Sequence, residues 1–226
     1  MQNELLNSRF FKTDDKRMDK VVFTLPSHWW SRFYEYAWAA EFCKETDVVL
    51  DAACGIVHPF KFYLSDYCKS VHAVDNDEKI IDFMEIGNKI EKTFGENAKA
   101  EYLEKYTNPV NFKHAELTEL PYKNSMFDKI FCISALEHLP AVDQAKALKE
   151  LFRVSKKDGK VILTLDHSMS EQYPDSIDMD SIEKLANDSG FKIAGEKDSS
   201  IPQNAINWDG VLYCYRMVLV KKKAGE

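Results

Sequence analysis

The strongest constraint in the chain is the run Val48-Val49-Leu50-Asp51-Ala52-Ala53-Cys54-Gly55, where apolar β-formers stop abruptly at an acid, two alanines, a thiol and a glycine. A short strand apolar on both faces must be covered on both faces, which predicts the centre of a parallel sheet with helices on each side. In such sheets ligands bind outside the carboxyl ends of the strands, so Asp51, Ala53 and Gly55 fall at the binding edge. A second run, Val71-His72-Ala73-Val74, ends in Asp75 about 20 residues after that turn, the interval at which a nucleotide-binding βαβ unit places the acid that accepts ribose hydroxyls. Asp75 could instead cap the next helix, but Asn76 and Asp77 are better placed for that task.

Four stretches in order, VVLDAACG, VHAVDND, AELTELPYKNSMFDKIFCISALEHL and RVSKKDGKVILTLD, resemble the motif set of class I S-adenosylmethionine-dependent methyltransferases over residues 45 to 220. The resemblance implies an α/β fold: a doubly wound, seven-stranded, mostly parallel sheet with an antiparallel C-terminal hairpin and helices on both faces. It implies S-adenosyl-L-methionine as cofactor, with Asp51, Ala53 and Gly55 near the methionine portion and Asp75, beside Asn76, on the ribose. Glu116 would accept from the adenine amino group, with the amide of Leu117 on a ring nitrogen, unless Glu116 is a surface residue at a strand end. Ser134 and Glu137, at the carboxyl end of the fourth strand, would face the same crevice. The family usually has glycines where this chain has Ala53 and Val57, leaving Gly55 alone. Added methyls narrow the approach of backbone to ligand, so the cofactor is expected to sit differently near Val57 and Pro59, or to bind weakly.

The 226 residues can bury one sizeable core. The expected layout is an N-terminal arm and aromatic cap helix over 1–44 and a Rossmann-like methyltransferase domain over 45–226, together one structural domain. A net charge of −7 argues against a phosphate-tracking surface and hence against a nucleic-acid partner. Five cysteines without metal-type spacing point to free thiols in a reducing compartment, with no metal site. No apolar run is long enough to span a bilayer and no signal-peptide core precedes the chain, so the expected location is the cytoplasm. The oligomeric state is not legible.

Residues 1 to 20 are polar and mixed in charge and read as a mobile arm or lid. In WWSRFYEYAW, Trp30, Phe33, Tyr34 and Trp38 recur at helical spacing. That stretch either packs an apolar face on the sheet or lies over its carboxyl edge, with Arg32 pairing the cofactor carboxylate and a ring near the sulfonium. EKIIDFMEIGNKIEKTF reads as one helix with Ile80, Phe83, Met84, Gly87, Ile90 and Phe94 on its stripe. Asp180, with Glu183 in capping-box position, reads as the start of a helix to Asn187. The loop from Ser168 to Asp178 reads as a substrate-facing flap.

Methyl transfer from a sulfonium needs alignment first, and a base only when the acceptor atom carries a proton to be lost. His138 is the first candidate for that base and His167, at the end of the fifth strand, the second; each could equally be a structural hydrogen-bonder. The reading reached is methyl transfer to an oxygen or nitrogen of a small molecule, possible classes being a sugar or secondary-metabolite intermediate. A catalytically inactive partner subunit of the same fold is the alternative, and a nicotinamide-dependent oxidoreductase fits less well because G-x-G-x-x-G is missing.

Overall fold

The computed structural model describes residues 2–107, 109–173 and 177–223. In chain order its strands are β1 (Arg9–Phe10), β2 (Val48–Ala52), β3 (Ser70–Asp75), β4 (Val110–His114), β5 (Phe127–Ile133), β6 (Ser155–Ser168), β7 (Phe191–Ile193), β8 (Asn207–Trp208) and β9 (Leu212–Lys221). The α-helices are α1 (Gln2–Leu5), α2 (Arg32–Ala40), α3 (Phe60–Tyr67), α4 (Phe83–Phe94), α5 (Glu96–Lys105), α6 (Ala141–Val154) and α7 (Met179–Asp188).

All nine strands join one sheet in the order β1-β9-β6-β5-β2-β3-β4, with β7 and β8 also on β9. β2 pairs in parallel with β3 on one side and β5 on the other, Asp51 lying opposite Ala73 and Phe131. The apolar run that ends at Asp51 is therefore central, as its two-faced hydrophobicity requires. Along each strand alternate residues feed opposite cores. Val49, Val71, Ala73, Ile162 and Val218 join the helices α2 to α5 on one face. Leu50, Val74, Leu163, Met217 and Leu219 pack on α6 and α7 on the other. The period of two along the strands and the helices on both faces are the doubly wound architecture.

The antiparallel C-terminal strands are present, with β9 running against β6 from Lys160↔Val220 to Ser168↔Leu212. The expected seven-stranded, mostly parallel sheet with an antiparallel C-terminal hairpin describes the main path, to which β7 and β8 are added on β9. The outer edge of β9 is covered by three short antiparallel segments end to end: β8 at Leu212–Tyr213, β1 at Tyr215–Arg216 and β7 at Leu219–Lys221. An open edge would leave unpaired amides and carbonyls. This corrects the reading of residues 1 to 20 as a mobile arm, because β1 is part of the sheet. Phe10 feeds one core and Phe11 the other, both fully buried.

Two helix readings also need correction. The stretch after Asp77 is not one helix: a 3₁₀ turn, Glu78–Ile81, is followed by α4, whose cap is Asp82, accepting from the amides of Met84 and Glu85. The restart turns Met84 out to solvent, whereas Ile80, Ile86, Gly87 and Ile90 are buried. α7 is capped by Asp178, which accepts from the amide of Ser181, and not by Asp180. Of the flap expected over 168–178, residues 174–176 lie outside the described residues. No helix among the described residues is long and apolar enough to cross a membrane.

Candidate active site

The carboxyl ends of β2 to β5 open on a cavity of about 430 Å³. Arg32, Asp51, Ala53, Gly55, Asp75, Asn76, Glu116, Leu117, Ser134 and His138 all line it. Ten residues named from strand ends, from the aromatic N-terminal stretch and from the family resemblance, across more than a hundred positions, are thus brought together on one cavity. Two are not among its lining residues. Glu137 is buried, its Oε1 accepting from the Asp166 amide at 2.9 Å and its Oε2 without a partner among the described residues; burial pushes its carboxyl well up, and Asp166 adds to the rise. His167 lies off the cavity, with Nδ1 3.0 Å from the Ile177 carbonyl and its ring against Phe10.

The turn after β2 is built tightly. Ala53 and Gly55 both take left-handed backbone conformations, at φ +52° and +59°. Asp75 fixes the second of these: its Oδ2 accepts from the Gly55 amide at 2.8 Å, and its Oδ1 from the Asp77 amide at 3.0 Å. Each carboxylate oxygen has a second lone pair, so Asp75 keeps two acceptor sites for hydroxyls. Val57 and Pro59 do not line the cavity. The space at the glycine is taken by His58, whose Cδ2 would stand 2.5 Å from a Cβ on Gly55. That ring is held by Trp29, stacked at 4.5 Å, and by the Tyr36 hydroxyl, 2.8 Å from Nδ1. Burial, with Arg32 and Lys61 nearby, pushes His58 well below the usual imidazole value, so it is neutral.

Underneath lies Lys61, a lysine with no exposed surface. Its ammonium donates to the carbonyls of Gly55 at 2.5 Å, His58 at 2.6 Å and Cys54 at 3.4 Å. Burial lowers its pKa, and Cys54, Asp51 and Asp75 pull it back up. The ammonium clamps a turn that has lost two of the family's glycines. Asp51, above it, is pushed up to about 7 by burial; Lys61 opposes the rise and Asp75 adds to it.

The opposite wall rests on Glu35, also without exposed surface. Its carboxylate pairs Arg32 and accepts from Ser134 Oγ at 2.6 Å, Thr164 Oγ1 at 2.5 Å and Cys214 Sγ at 3.3 Å. Burial pushes Glu35 up, but Arg32 and the two hydroxyls outweigh it and hold it below the usual carboxylate range. Arg32 spends one terminal nitrogen on Glu35 and Ser31, and the Tyr36 hydroxyl is a further neighbour of its guanidinium. Glu35, Tyr36, His58 and Lys61 were missed in the sequence. Their signal was a charge or polar group inside an apolar run, as in HPFKFY and RFYEYAW.

This site fits an adenosyl ligand: an acid at each of the ends of β2 and β3 and Glu116 just past the end of β4 line one cavity with the backbone turn at Gly55. Comparison with known proteins agrees. Residues 50–163 match the family described as a methyltransferase domain. An uncharacterized protein of Methanocaldococcus jannaschii, MJ0638, is 41% identical over 51 residues, covering 23% of this chain and 21% of its own length. This match therefore spans about a fifth of that relative. A solved S-adenosylmethionine-dependent methyltransferase from Aquifex aeolicus superposes with a TM-score of 0.58 at 18% identity, over 84% of this chain and 93% of that one. Magnesium protoporphyrin IX methyltransferase of Synechocystis PCC 6803, solved with bound S-adenosylhomocysteine, superposes at 0.56 and 18% identity, over 83% and 80%. The chain belongs to the methyltransferase domain family.

Proposed function

We propose that this protein transfers a methyl group from S-adenosyl-L-methionine to an oxygen or nitrogen of a small molecule in the cytoplasm. The observation that carries the reading is the order of groups along the sheet edge: Glu116 past β4, Asp75 at β3, Asp51 and Gly55 at β2, and Ser134 past β5, all on one cavity. Asp75 would hold the ribose, Glu116 and the Leu117 amide the adenine, and Arg32 the carboxylate of the methionine portion, with Ala53, Gly55 and Asn76 shaping the space between them.

When bound, the cofactor supplies a methyl carbon already activated by a sulfonium. The chain's own work is then alignment and exclusion of water, worth up to about 7–11 kcal/mol of barrier for well-oriented reactants. His138, on the cavity wall, is placed to meet a proton of the acceptor or of the cofactor. A small acceptor is favoured by the net charge of −7, which gives no basic track for nucleic acid. The cytoplasmic setting is supported by five free thiols.

Calorimetric titration with S-adenosylhomocysteine tests the reading. Asp75→Ala should weaken binding about 10- to 100-fold, the loss of one charge-assisted hydrogen bond of about 1.5–3 kcal/mol. Absence of binding by the unaltered chain would favour the inactive-subunit reading motivated by Ala53 and Val57.

A further inference from the structure

A second chamber, of about 220 Å³, shares Arg32 and His58 with the cofactor cavity and adds Trp29, Trp30 and Asp166. His28, at its wall, is exposed, so the chamber reaches the surface. Its place in the fold follows from strand order. Asp166 lies near the carboxyl end of β6, the neighbour of β5, so it continues the series Glu116, Asp75, Asp51, Ser134 by one strand. A ligand with its adenine at the β4 end and its ribose on Asp75 turns its reacting end toward β5 and β6.

Asp166 lines the chamber. Asp166 Oδ1 is buried with no hydrogen-bond partner among the described residues, although buried polar atoms are almost always paired. The backbone amide of the same residue is already satisfied by Glu137. Burial pushes the Asp166 carboxyl up to about 7; Glu35 adds to the rise and Arg32 opposes it.

The charges around this oxygen decide what chemistry can meet it. Arg32 is a permanent cation lining both cavities, and the cofactor's sulfonium is a second, so an ammonium would be repelled from two sides. A carboxylate would meet Asp166 itself, with Glu35 behind it. A neutral O–H satisfies the oxygen without either penalty. The indoles of Trp29 and Trp30 give the walls flat apolar surface, and a dry cavity of about 150 Å³ is enough to hold benzene, so one ring fits the volume.

We propose that this chamber is the acceptor subsite and that it takes a neutral, single-ring phenol whose hydroxyl donates to Asp166 Oδ1, an inference that rests on the methyltransferase reading above. In the transfer the phenol oxygen forms its bond to the methyl carbon while the carbon–sulfur bond breaks, its electron pair staying on sulfur. The hydroxyl proton passes to Asp166 and from there to solvent. A carboxyl that titrates near neutrality suits that role.

The test is a ligand-observed NMR titration of the full chain, saturated with S-adenosylhomocysteine, using phenol, benzylamine and benzoate as probes; with no sulfonium present, Arg32 alone opposes benzylamine there. Phenol should bind most tightly. Asp166→Ala and Trp30→Ala should each weaken it at least tenfold while S-adenosylhomocysteine affinity stays within threefold; if one variant fails to fold, the other carries the test. Asp166→Asn, which keeps an acceptor oxygen but no base, should retain phenol affinity and lower kcat for phenol methylation at least 100-fold. Tighter binding of benzylamine or benzoate, absence of phenol binding, or unchanged phenol affinity in the folded variants overturns the acceptor assignment and leaves the cofactor assignment standing. Failure of S-adenosylhomocysteine to bind the unaltered chain overturns both.

Discussion

Replacement of Gly55 by alanine isolates the tightest point of the cofactor turn. Gly55 sits at φ +59°, where a β-carbon costs about 1–2 kcal/mol against the following carbonyl. That carbon would also stand 2.5 Å from His58 Cδ2, a separation at which the ring must move. The ring has little freedom, since Trp29 is stacked on it and Tyr36 holds Nδ1, so the overpacking penalty of about 1–3 kcal/mol applies. Together these give about 2–5 kcal/mol, and at about 2–4 °C per kcal/mol for a chain of this size a fall in Tm of roughly 4–20 °C. Scanning calorimetry reads this directly, and titration with S-adenosylhomocysteine should show at least a tenfold loss, because Gly55 lines the cavity and its amide is bound by Asp75. A His58→Ala background removes the collision but not the backbone strain, so the double variant should be more stable than additivity predicts, by about 1–3 kcal/mol. A Tm within 2 °C of the unaltered protein, or strict additivity, would refute the argument that His58 fills the space a side chain at position 55 would need.

Three further outcomes are expected. Glu35→Gln leaves Arg32 without its counter-charge and should cost about 3 kcal/mol, as for other broken buried pairs; chemical denaturation measures it, and no loss would mean that the hydroxyls of Ser134 and Thr164 alone hold this wall. Asp51 and Asp166, both pushed up to about 7, hold protons in the folded state that the unfolded chain has already released, so they cost stability as pH rises from about 4 through 7. Carboxyls held low, Glu35 among them, act in the opposite sense, so the test is a difference: Asp51→Asn should gain Tm relative to the unaltered protein as pH rises from about 4 through 7, and a constant difference would refute the raised carboxyl. His138→Ala should reduce turnover less than Asp166→Asn while leaving the fold intact; a larger kcat loss with unchanged cofactor affinity would move the proton-accepting role to His138.

What the sequence alone determined was the part of the site written in consecutive residues. A strand apolar on both faces followed by Asp51-Ala-Ala53-Cys-Gly55, a second strand tipped by Asp75 and a third followed by Glu116 are local patterns, and parallel pairing turns strand ends into neighbours without further information. The same local logic names Ser134 and His138, which line the cavity, and Glu137 and His167, which lie off it. Glu137 and His138 are adjacent in a short 3₁₀ turn, and which of the two lines the cavity is decided by the packing of that turn, with Glu137 drawn onto the Asp166 amide. The N-terminal segment read as an arm because its composition is polar; only the uncovered edge of β9 makes β1 a strand. The supports of the site were out of reach for the same reason. Glu35 meets Ser134, Thr164 and Cys214 across 99, 129 and 179 positions, and Lys61 finds backbone carbonyls, which no side-chain pattern can announce. A buried charge is stable only where the fold delivers its partners, so these groups take their meaning from tertiary structure alone.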